Sequence, residues 1–255
     1  MRQFLFLLSL AILSSTLFVA CDDDDQGPAT LDVVFKARYG DDPLVMLDQV
    51  YTYPDGTPIK FQLVNYYVSD LTLAAPQENR EAMVSEVELV SYADFYDSST
   101  ADGGVRFRYQ DVAPGNYDQV QFGIGLTPEL NGTQPSNYQA GHPLTENFWS
   151  WARGYVFAKI EANADLDGDG QFTDKITYHI GATELYTLAT VDKAVSIQAG
   201  KTTELTFELD VEKVLQRQGE YLDLNEESNT VDHTNDPDIY QFLWQNMVNS
   251  ISLAD

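Results

Sequence analysis

The chain has 255 residues and is strongly acidic, with 40 Asp and Glu residues against 14 Lys and Arg residues and a formal net charge of −26. A surface of this charge repels nucleic-acid phosphates and anionic lipid headgroups, so the composition argues against nucleic-acid binding. The length is sufficient for a sizeable hydrophobic core, and 15 Tyr and 13 Phe residues favour pleated sheet over helix.

Residues 1–20 have the layout of a bacterial signal peptide. Arg2 supplies a positive start, residues 4–13 are almost purely apolar, and a stretch of small residues leads to Cys21. The apolar stretch is too short and wrongly flanked for a transmembrane helix. We predict that Cys21, the single cysteine of the chain, is the lipid-attachment residue of a lipoprotein. An ordinary signal peptide followed by an incidental cysteine is the alternative.

Residues 21–30 are predicted to form a solvated tether, because the run Asp22–Asp25 cannot pack into a core. This run resembles the acidic export signal that directs lipoproteins of Bacteroidota to the outer face of the outer membrane. We therefore expect a lipid-anchored protein of the outer membrane that is exposed at the cell surface. A plain hydrophilic spacer, on a protein that faces the periplasm, is the alternative.

Most of the remaining chain predicts short β-strands. Residues 31–39 alternate apolar and polar side chains, as a half-buried strand does. Further strands are predicted at residues 59–63, 67–73, 84–90, 105–109, 117–126, 154–160, 176–180 and 203–211. Turns that contain Gly or Pro separate these strands, and no helices alternate with them. This pattern is typical of an antiparallel β-sandwich or barrel of the Greek-key type.

Two segments near the end of the chain predict helices. Residues 210–218 predict a short helix that stops at Gly219. A second helix is predicted from Asp236, which offers a capping side chain and is followed by a proline in the first turn. Its apolar side chains share one face and are Ile239, Phe242, Leu243 and Met247. Since no repeat or linker divides residues 31–255, we predict one all-β domain with a short C-terminal helix.

Alternate carboxylates from residue 165 onward predict a calcium loop. Carboxylates at this spacing, with glycines that allow a sharp turn, can wrap a hard cation. The spacing matches the first half of an EF-hand loop, although its twelfth position is Ile176, so Asp174 is the candidate for the closing carboxylate. The candidate ligands are Asp165, Asp167, Asp169, the backbone carbonyl of Gln171, and Asp174. An acidic hairpin turn that faces water is the alternative.

The chain has three histidines, His142, His179 and His233. Imidazole nitrogen is a good ligand for copper or zinc, but the spacing does not show whether the three rings converge. Isolated surface or capping histidines are the alternative. A further feature is the aromatic segment that contains Trp149 and Trp151, for which core packing on a strand is the ordinary interpretation.

Several segments, in this order, carry a family resemblance: Tyr66–Leu71, Pro114–Tyr117, Phe122–Gly125, His142–Leu144, Trp149–Tyr155, Tyr178–Gly181, Val231–His233 and Asn246. Through them the chain resembles the MbnP-like copper-binding family, which is named for a protein associated with methanobactin. The resemblance extends from about residue 31 to the end of the sequence. The chain departs from the family at residues 145–147, where relatives usually carry a Gly-Met pair.

The resemblance implies a β-sandwich that binds one copper ion through histidines and a tryptophan oxidised to kynurenine by a di-haem partner enzyme. Carried onto this chain, it makes His142 and His179 the first candidate ligands and His233 the third. Either Trp151 or Trp149 would be the oxidised residue. The implied chemistry is reasonable, because intact indole nitrogen has no lone pair for a metal whereas kynurenine presents an aromatic amine.

We therefore expect a cell-envelope lipoprotein that binds copper and carries a separate calcium loop. The sequence shows no Ser-His-Asp set, no cysteine nucleophile and no phosphate-binding glycine loop, so we do not expect an enzyme. The alternative is a surface module that binds glycans or proteins through exposed aromatic side chains and keeps the scaffold without copper.

Overall fold

The fold, given by a computed structural model, consists of two main β-sheets with short helices between strands. The structure describes residues 27–149 and 154–254, so residues 1–20, Cys21, the acidic run that follows it and Trp151 lie outside the described residues. The strands are β1 (Thr30–Tyr39), β2 (Asp42–Pro43), β3 (Tyr51–Thr52), β4 (Pro58–Ala75), β5 (Arg80–Ser91), β6 (Val105–Tyr109), β7 (Gly115–Ile124), β8 (Phe148–Trp149), β9 (Gly154–Tyr155), β10 (Ala158–Ala164), β11 (Asp174–Ile180), β12 (Thr187–Ile197), β13 (Thr202–Asp210), β14 (Gln216–Arg217), β15 (Glu220–Tyr221), β16 (Val231–Asp232) and β17 (Ile251–Leu253). The helices are α1 (Ser98–Gly103), α2 (Pro128–Asn131), α3 (Val211–Leu215) and α4 (Pro237–Ser250), with short 3-10 turns at Pro76–Glu78, Pro135–Asn137, Pro143–Thr145, Thr183–Leu185 and Glu227–Asn229.

The first sheet has the strand order β17–β13–β1–β2, and β6 also pairs with β1. Strands β1 and β13 run parallel, with Thr30 opposite Thr202, whereas β1 and β6 are antiparallel. The second sheet has the order β12–β7–β4–β10–β11–β16, and β3 and β5 also pair with β4. The short ribbons β8–β9 and β14–β15 lie outside both sheets.

Buried aromatic rings join the two sheets face to face. Phe207 of β13 stacks on Phe35 of β1 with ring centroids 5.0 Å apart, and it meets Phe122 of β7 edge-on at 4.8 Å. Phe35 also meets Tyr66 of β4 edge-on. Since β1 and β13 belong to one sheet and β4 and β7 to the other, these contacts form the core of a sandwich. The all-β prediction is confirmed, with mixed rather than purely antiparallel pairing.

Strand β4 is 18 residues long and unites two strands that the sequence predicts separately at residues 59–63 and 67–73. The residues between them continue the strand because Val64 and Tyr66 are buried. Pairing with β5 shifts register after Leu71, beside Asp70 with its positive φ of 52°. The strand therefore runs without a break through residues 64–66, and it carries its bulge with β5 farther along, inside the segment predicted at residues 67–73.

Strands β10 and β11 form a hairpin whose two faces have different roles. Ile160 and Tyr178 lie opposite each other and are buried in the core. Because side chains alternate along a strand, Lys159, Glu161 and His179 lie on the other face. The strand predicted at residues 154–160 is divided, since its first two residues form β9 and pair with β8 instead.

Helix α4 begins as predicted, with Pro237 in its first turn and the Asp236 side chain accepting a hydrogen bond from the backbone N–H of Asp238. Helix α3 covers only Val211–Leu215 and is shorter than predicted, because the chain continues into the β14–β15 ribbon, which turns at Gly219 with φ 84°. Among the described residues, no helix has the length and apolar character needed to cross a membrane.

Candidate metal centre

Three rings converge on the outer face of the β10–β11 hairpin. The ring centroids of His179 and His233 are 4.8 Å apart. The Trp149 ring lies 5.2 Å from His179 and stacks on His233 at 5.1 Å with an interplanar angle of 22°. The structure therefore brings together two of the three predicted histidines and one of the two predicted tryptophans.

His179 is held by the hairpin itself. It lies on β11, directly opposite Lys159 of β10, and its side chain is only 12 % exposed. Its Nε2 lies 2.7 Å from Oε1 of Glu161, whereas its Nδ1 is buried and has no hydrogen-bond partner. Nε2 of this ring thus has a hydrogen-bond partner, whereas Nδ1 has none.

Burial lowers the pKa of His179, because desolvation penalises the charged imidazolium. The Glu161 carboxylate opposes this shift in the pKa of His179, and the nearby Lys159 adds to it. The same burial lowers the pKa of Lys159, against the attraction of Glu161 and Glu146. The net effect favours neutral His179, which is the form that has a lone pair for a metal.

His233 is presented by a tight turn that follows β16. The buried carboxylate of Asp232 accepts hydrogen bonds from the backbone N–H groups of Thr234, Asn235 and Asp236 at 2.9–3.0 Å. The hydroxyl of Thr234 donates to the backbone carbonyl of His179 at 2.8 Å. These bonds tie the turn that carries His233 directly to the strand that carries His179.

Trp149 reaches the hairpin from the short strand β8, which pairs with β9 at Gly154. Gly154 has φ 109°, and a Cβ there would lie 2.7 Å from Oδ1 of Asn131. That same oxygen accepts a hydrogen bond from the backbone N–H of Tyr155. Upstream of β8, the Tyr67 hydroxyl donates to the carbonyl of Glu146 at 2.8 Å. The ribbon that carries Trp149 is therefore fixed on both sides.

The two histidine rings fit a shared metal ion. A metal about 2.0 Å from an imidazole nitrogen lies roughly 3 Å from the ring centroid, so two rings on one ion have centroids within about 6 Å. The centroids of His179 and His233 are 4.8 Å apart. The unpartnered Nδ1 of His179 adds a donor atom that an ion would satisfy.

His142 has a different position. Its ring stacks on Tyr138 at 4.1 Å, and its Nδ1 accepts a hydrogen bond from the backbone N–H of Leu144. It caps the 3-10 turn at Pro143–Thr145. The geometry thus pairs His179 with His233, whereas the family resemblance ranks His142 ahead of His233. The capping role of His142 becomes visible only in the three-dimensional structure.

Sequence reasoning missed the supporting residues Glu161, Asp232 and Thr234. Glu161 could be found only with the hairpin register, because it becomes a neighbour of His179 through the pairing of two strands. Asp232 had a local signal, since an Asp that is followed within a few residues by Thr, Asn, Asp and Pro is typical of a side-chain-stabilised turn.

The acidic loop between β10 and β11 forms a second cluster, at the tip of the same hairpin. Asp165, Asp167 and Asp169 each offer a carboxylate oxygen, and these oxygens lie within 4.8 Å of one another. Asp165 is 7 % exposed, and its Oδ1 is buried without a hydrogen-bond partner while its Oδ2 accepts from the backbone N–H of Gly170. Three carboxylates at this separation fit one cation with oxygen ligands.

The other two predicted calcium ligands make backbone contacts. Asp174 lies outside the three-carboxylate cluster, and its Oδ2 accepts a hydrogen bond from the backbone N–H of Leu166. The backbone N–H of Gln171 donates to Oδ1 of Asp169. Both residues therefore close the loop around the cluster.

Comparison with known proteins places the chain in a family. A sequence model described as MbnP matches residues 28–236. Among solved structures, the chain is similar to MbnP from Methylosinus trichosporium, at 16 % identity and a TM-score of 0.46, over 74 % of this chain and 77 % of that chain. No curated protein sequence matches the chain significantly. Because the family match spans most of the sequence and includes Trp149, His179 and His233, the chain belongs to the MbnP family.

Proposed function

We propose that this MbnP-family protein binds one copper ion between His179 and His233, beside Trp149. The observation that carries the proposal is the 4.8 Å separation of the two histidine rings, together with the buried, unpartnered Nδ1 of His179. Imidazole ligands suit copper, and at equal free metal a nitrogen site of this kind prefers copper to zinc. The resemblance to copper-binding relatives supports the same metal.

Trp149 is the tryptophan that we propose for conversion to kynurenine, because its ring contacts both histidines. The indole N–H is a donor without a lone pair, so unmodified Trp149 cannot bind a metal through its nitrogen. Its conversion would supply a third ligand atom, an aromatic amine. A di-haem oxidase is the partner that the family resemblance implies, and a mass gain on the peptide containing Trp149 after co-expression would test this step.

Alanine substitution of each histidine tests the copper site. His179→Ala and His233→Ala should each abolish stoichiometric copper(I) binding, measured by competition with a chromophoric chelator. His142→Ala is the matched control, because His142 caps a turn and should leave copper binding intact. Loss of binding in His142→Ala alone, or retention in both other variants, would refute the assignment. A wild-type protein without copper affinity would favour the alternative, a surface module that binds glycans or proteins and keeps the fold without the copper site.

We propose further that the protein is a lipoprotein of the cell envelope, anchored through Cys21 and exposed at the surface of the outer membrane. The signal-peptide layout and the acidic run after Cys21 support this location. The role is binding and not catalysis. Cys21→Ser should release the protein into the soluble fraction, because lipid attachment provides the membrane affinity. Membrane association that persists in Cys21→Ser would contradict the anchor.

A second metal site is proposed at the acidic loop, where calcium would fill the space between Asp165, Asp167 and Asp169. The observation that favours it is the buried Oδ1 of Asp165, which has no hydrogen-bond partner and lies within a cluster of carboxylates. Three adjacent carboxylates repel one another, and a divalent cation removes that repulsion. The ion would hold the tip of the hairpin in one conformation.

Calcium-dependent stabilisation tests the acidic loop. Extracellular calcium modules have Kd values of about 0.1–1 mM, so about 5 mM calcium should stabilise the fold by roughly 1–2 kcal/mol. For a domain of this size the expected rise in Tm is roughly 2–8 °C. Asp165→Asn should remove the response, whereas Asp118→Asn, an exposed carboxylate on β7, should retain it. An unchanged wild-type Tm would leave the loop as a plain turn.

A further inference from the structure

We propose that Glu161 holds the proton of His179 on Nε2 and thereby makes Nδ1 the nitrogen that binds the metal. This inference rests on the proposed copper function and assigns a role to a residue outside the ligand set. Glu161 is a positioning residue, since it acts on the metal through the orientation and protonation of His179. Its carboxylate oxygen lies 2.7 Å from Nε2 of His179.

The hydrogen-bonding capacity of the two groups fixes the direction of this contact. An ionised carboxylate can only accept hydrogen bonds, so the Nε2 of His179 must carry the hydrogen. In a neutral imidazole the other nitrogen then has a lone pair. That nitrogen, Nδ1, is buried and has no hydrogen-bond partner. The lone pair of Nδ1 is therefore buried away from solvent and is free to bind a metal.

Glu161 is not itself suited to share the ion with both histidines. Ligand atoms on one ion at about 2.0–2.2 Å lie within roughly 4.4 Å of one another. Within the described ranges, the side chains of Glu161, His179 and His233 do not offer one ligand atom each that all lie within 4.8 Å of one another. The carboxylate therefore belongs on the far side of the His179 ring, where it orients the ligand.

The hairpin keeps this arrangement rigid. Glu161 and His179 lie on paired strands with an unbroken register from Ala158 to Ala164. Their side chains share one face of the sheet, and Glu161 is about one third exposed while His179 is mostly buried. A carboxylate that accepts from the second nitrogen of a metal-bound histidine also raises the donor strength of the ring. Loss of such a partner typically lowers metal affinity by about 10–100-fold.

Nuclear magnetic resonance of the full domain, with ¹⁵N-labelled histidine, tests the tautomer without any metal. The three histidines can be assigned with single alanine variants, and the long-range ¹H–¹⁵N spectrum distinguishes a proton on Nε2 from one on Nδ1. Wild-type His179 should be protonated on Nε2 near pH 7.5. Added copper(I), which is diamagnetic, should then shift the Nδ1 resonance and leave the Nε2 hydrogen in place.

Two substitutions of Glu161 distinguish a role in positioning His179 from a general contribution to the stability of the fold. Glu161→Ala should lose the tautomer preference and weaken copper(I) binding by about 10–100-fold. Glu161→Gln should restore both, because its amide oxygen accepts the same hydrogen bond. Glu81→Ala, an exposed residue on β5, is the control and should match the wild type.

The possible outcomes distinguish this inference from the proposed function. A proton on Nδ1 of wild-type His179, or wild-type copper affinity in Glu161→Ala, overturns the role of Glu161. A wild-type protein that binds no copper overturns the proposed function and with it the ligand assignment. The spectrum of the metal-free protein still decides which nitrogen carries the hydrogen.

Discussion

The turn that presents His233 depends on one buried side chain, so Asp232→Ala should lower the stability of the fold and weaken the copper binding that we propose. The Asp232 carboxylate accepts three backbone hydrogen bonds at 2.9–3.0 Å. Without it, the N–H of buried Thr234 has no replacement partner, which costs about 1–3 kcal/mol. Asn235 and Asp236 are exposed residues, so we expect water to replace the lost partner of each N–H at a cost of only about 0.5 kcal/mol.

The expected total loss is therefore about 2–4 kcal/mol of unfolding free energy, or a fall in Tm of roughly 5–15 °C. Asp232→Asn is the matched variant. Its amide oxygen can keep the two bonds that Oδ1 accepts, whereas its NH₂ group cannot accept from Thr234.

Urea unfolding and copper(I) competition should be measured on both variants. We expect Asp232→Asn to be intermediate in stability, and Asp232→Ala to bind copper more weakly because His233 loses its fixed position. Equal stability of the two variants, or wild-type copper affinity in Asp232→Ala, would refute the argument that this carboxylate organises the site.

Two further changes test the surrounding fold. The Arg108 and Arg106 guanidinium groups beside Asp32 lower the pKa of its carboxyl in the folded protein. Its stabilising contribution is therefore present above the usual Asp pKa of about 3.9 and is lost as the pH falls through the lower pKa of the folded state. Asp32→Asn should flatten the fall in unfolding free energy below about pH 4, and an unchanged pH dependence would contradict this. Gly154→Ala should destabilise the β8–β9 ribbon by more than about 1 kcal/mol, because residue 154 has φ 109° and a Cβ there would lie 2.7 Å from Asn131 Oδ1. A wild-type Tm and unchanged Trp149 fluorescence in this variant would argue against that strain.

Local patterns predict much of this fold. Strand β1 and the hairpin strand β11 alternate apolar and polar side chains clearly enough to place their faces. The start of α4 follows from Asp236 and Pro237, whose capping and backbone preferences act within a single turn. The cluster of carboxylates after β10 was also visible, because its members are two residues apart.

Pairings between distant segments could not be predicted in the same way. The choice of His233 over His142 depends on where β16 joins β11, and no pattern near either histidine encodes that register. The same holds for Glu161, which meets His179 only across the hairpin. Strand β12 was missed because it is a long edge strand whose side chains are largely half-exposed, so its apolar signal is weak.

The parallel pairing of β1 with β13 has a consequence for how the chain folds. Strand β1 is the first strand of the described chain, and apart from the two-residue β2 its partners β6 and β13 begin only at Val105 and Thr202. Its apolar face can therefore be buried only after most of the polypeptide is available, and closure over so long a loop is entropically costly. All-β folds dominated by such pairings between distant segments are expected to fold in milliseconds to seconds. A nascent or truncated chain that ends before Thr202 would leave the β13 side of β1 without a partner, as an edge open to aggregation.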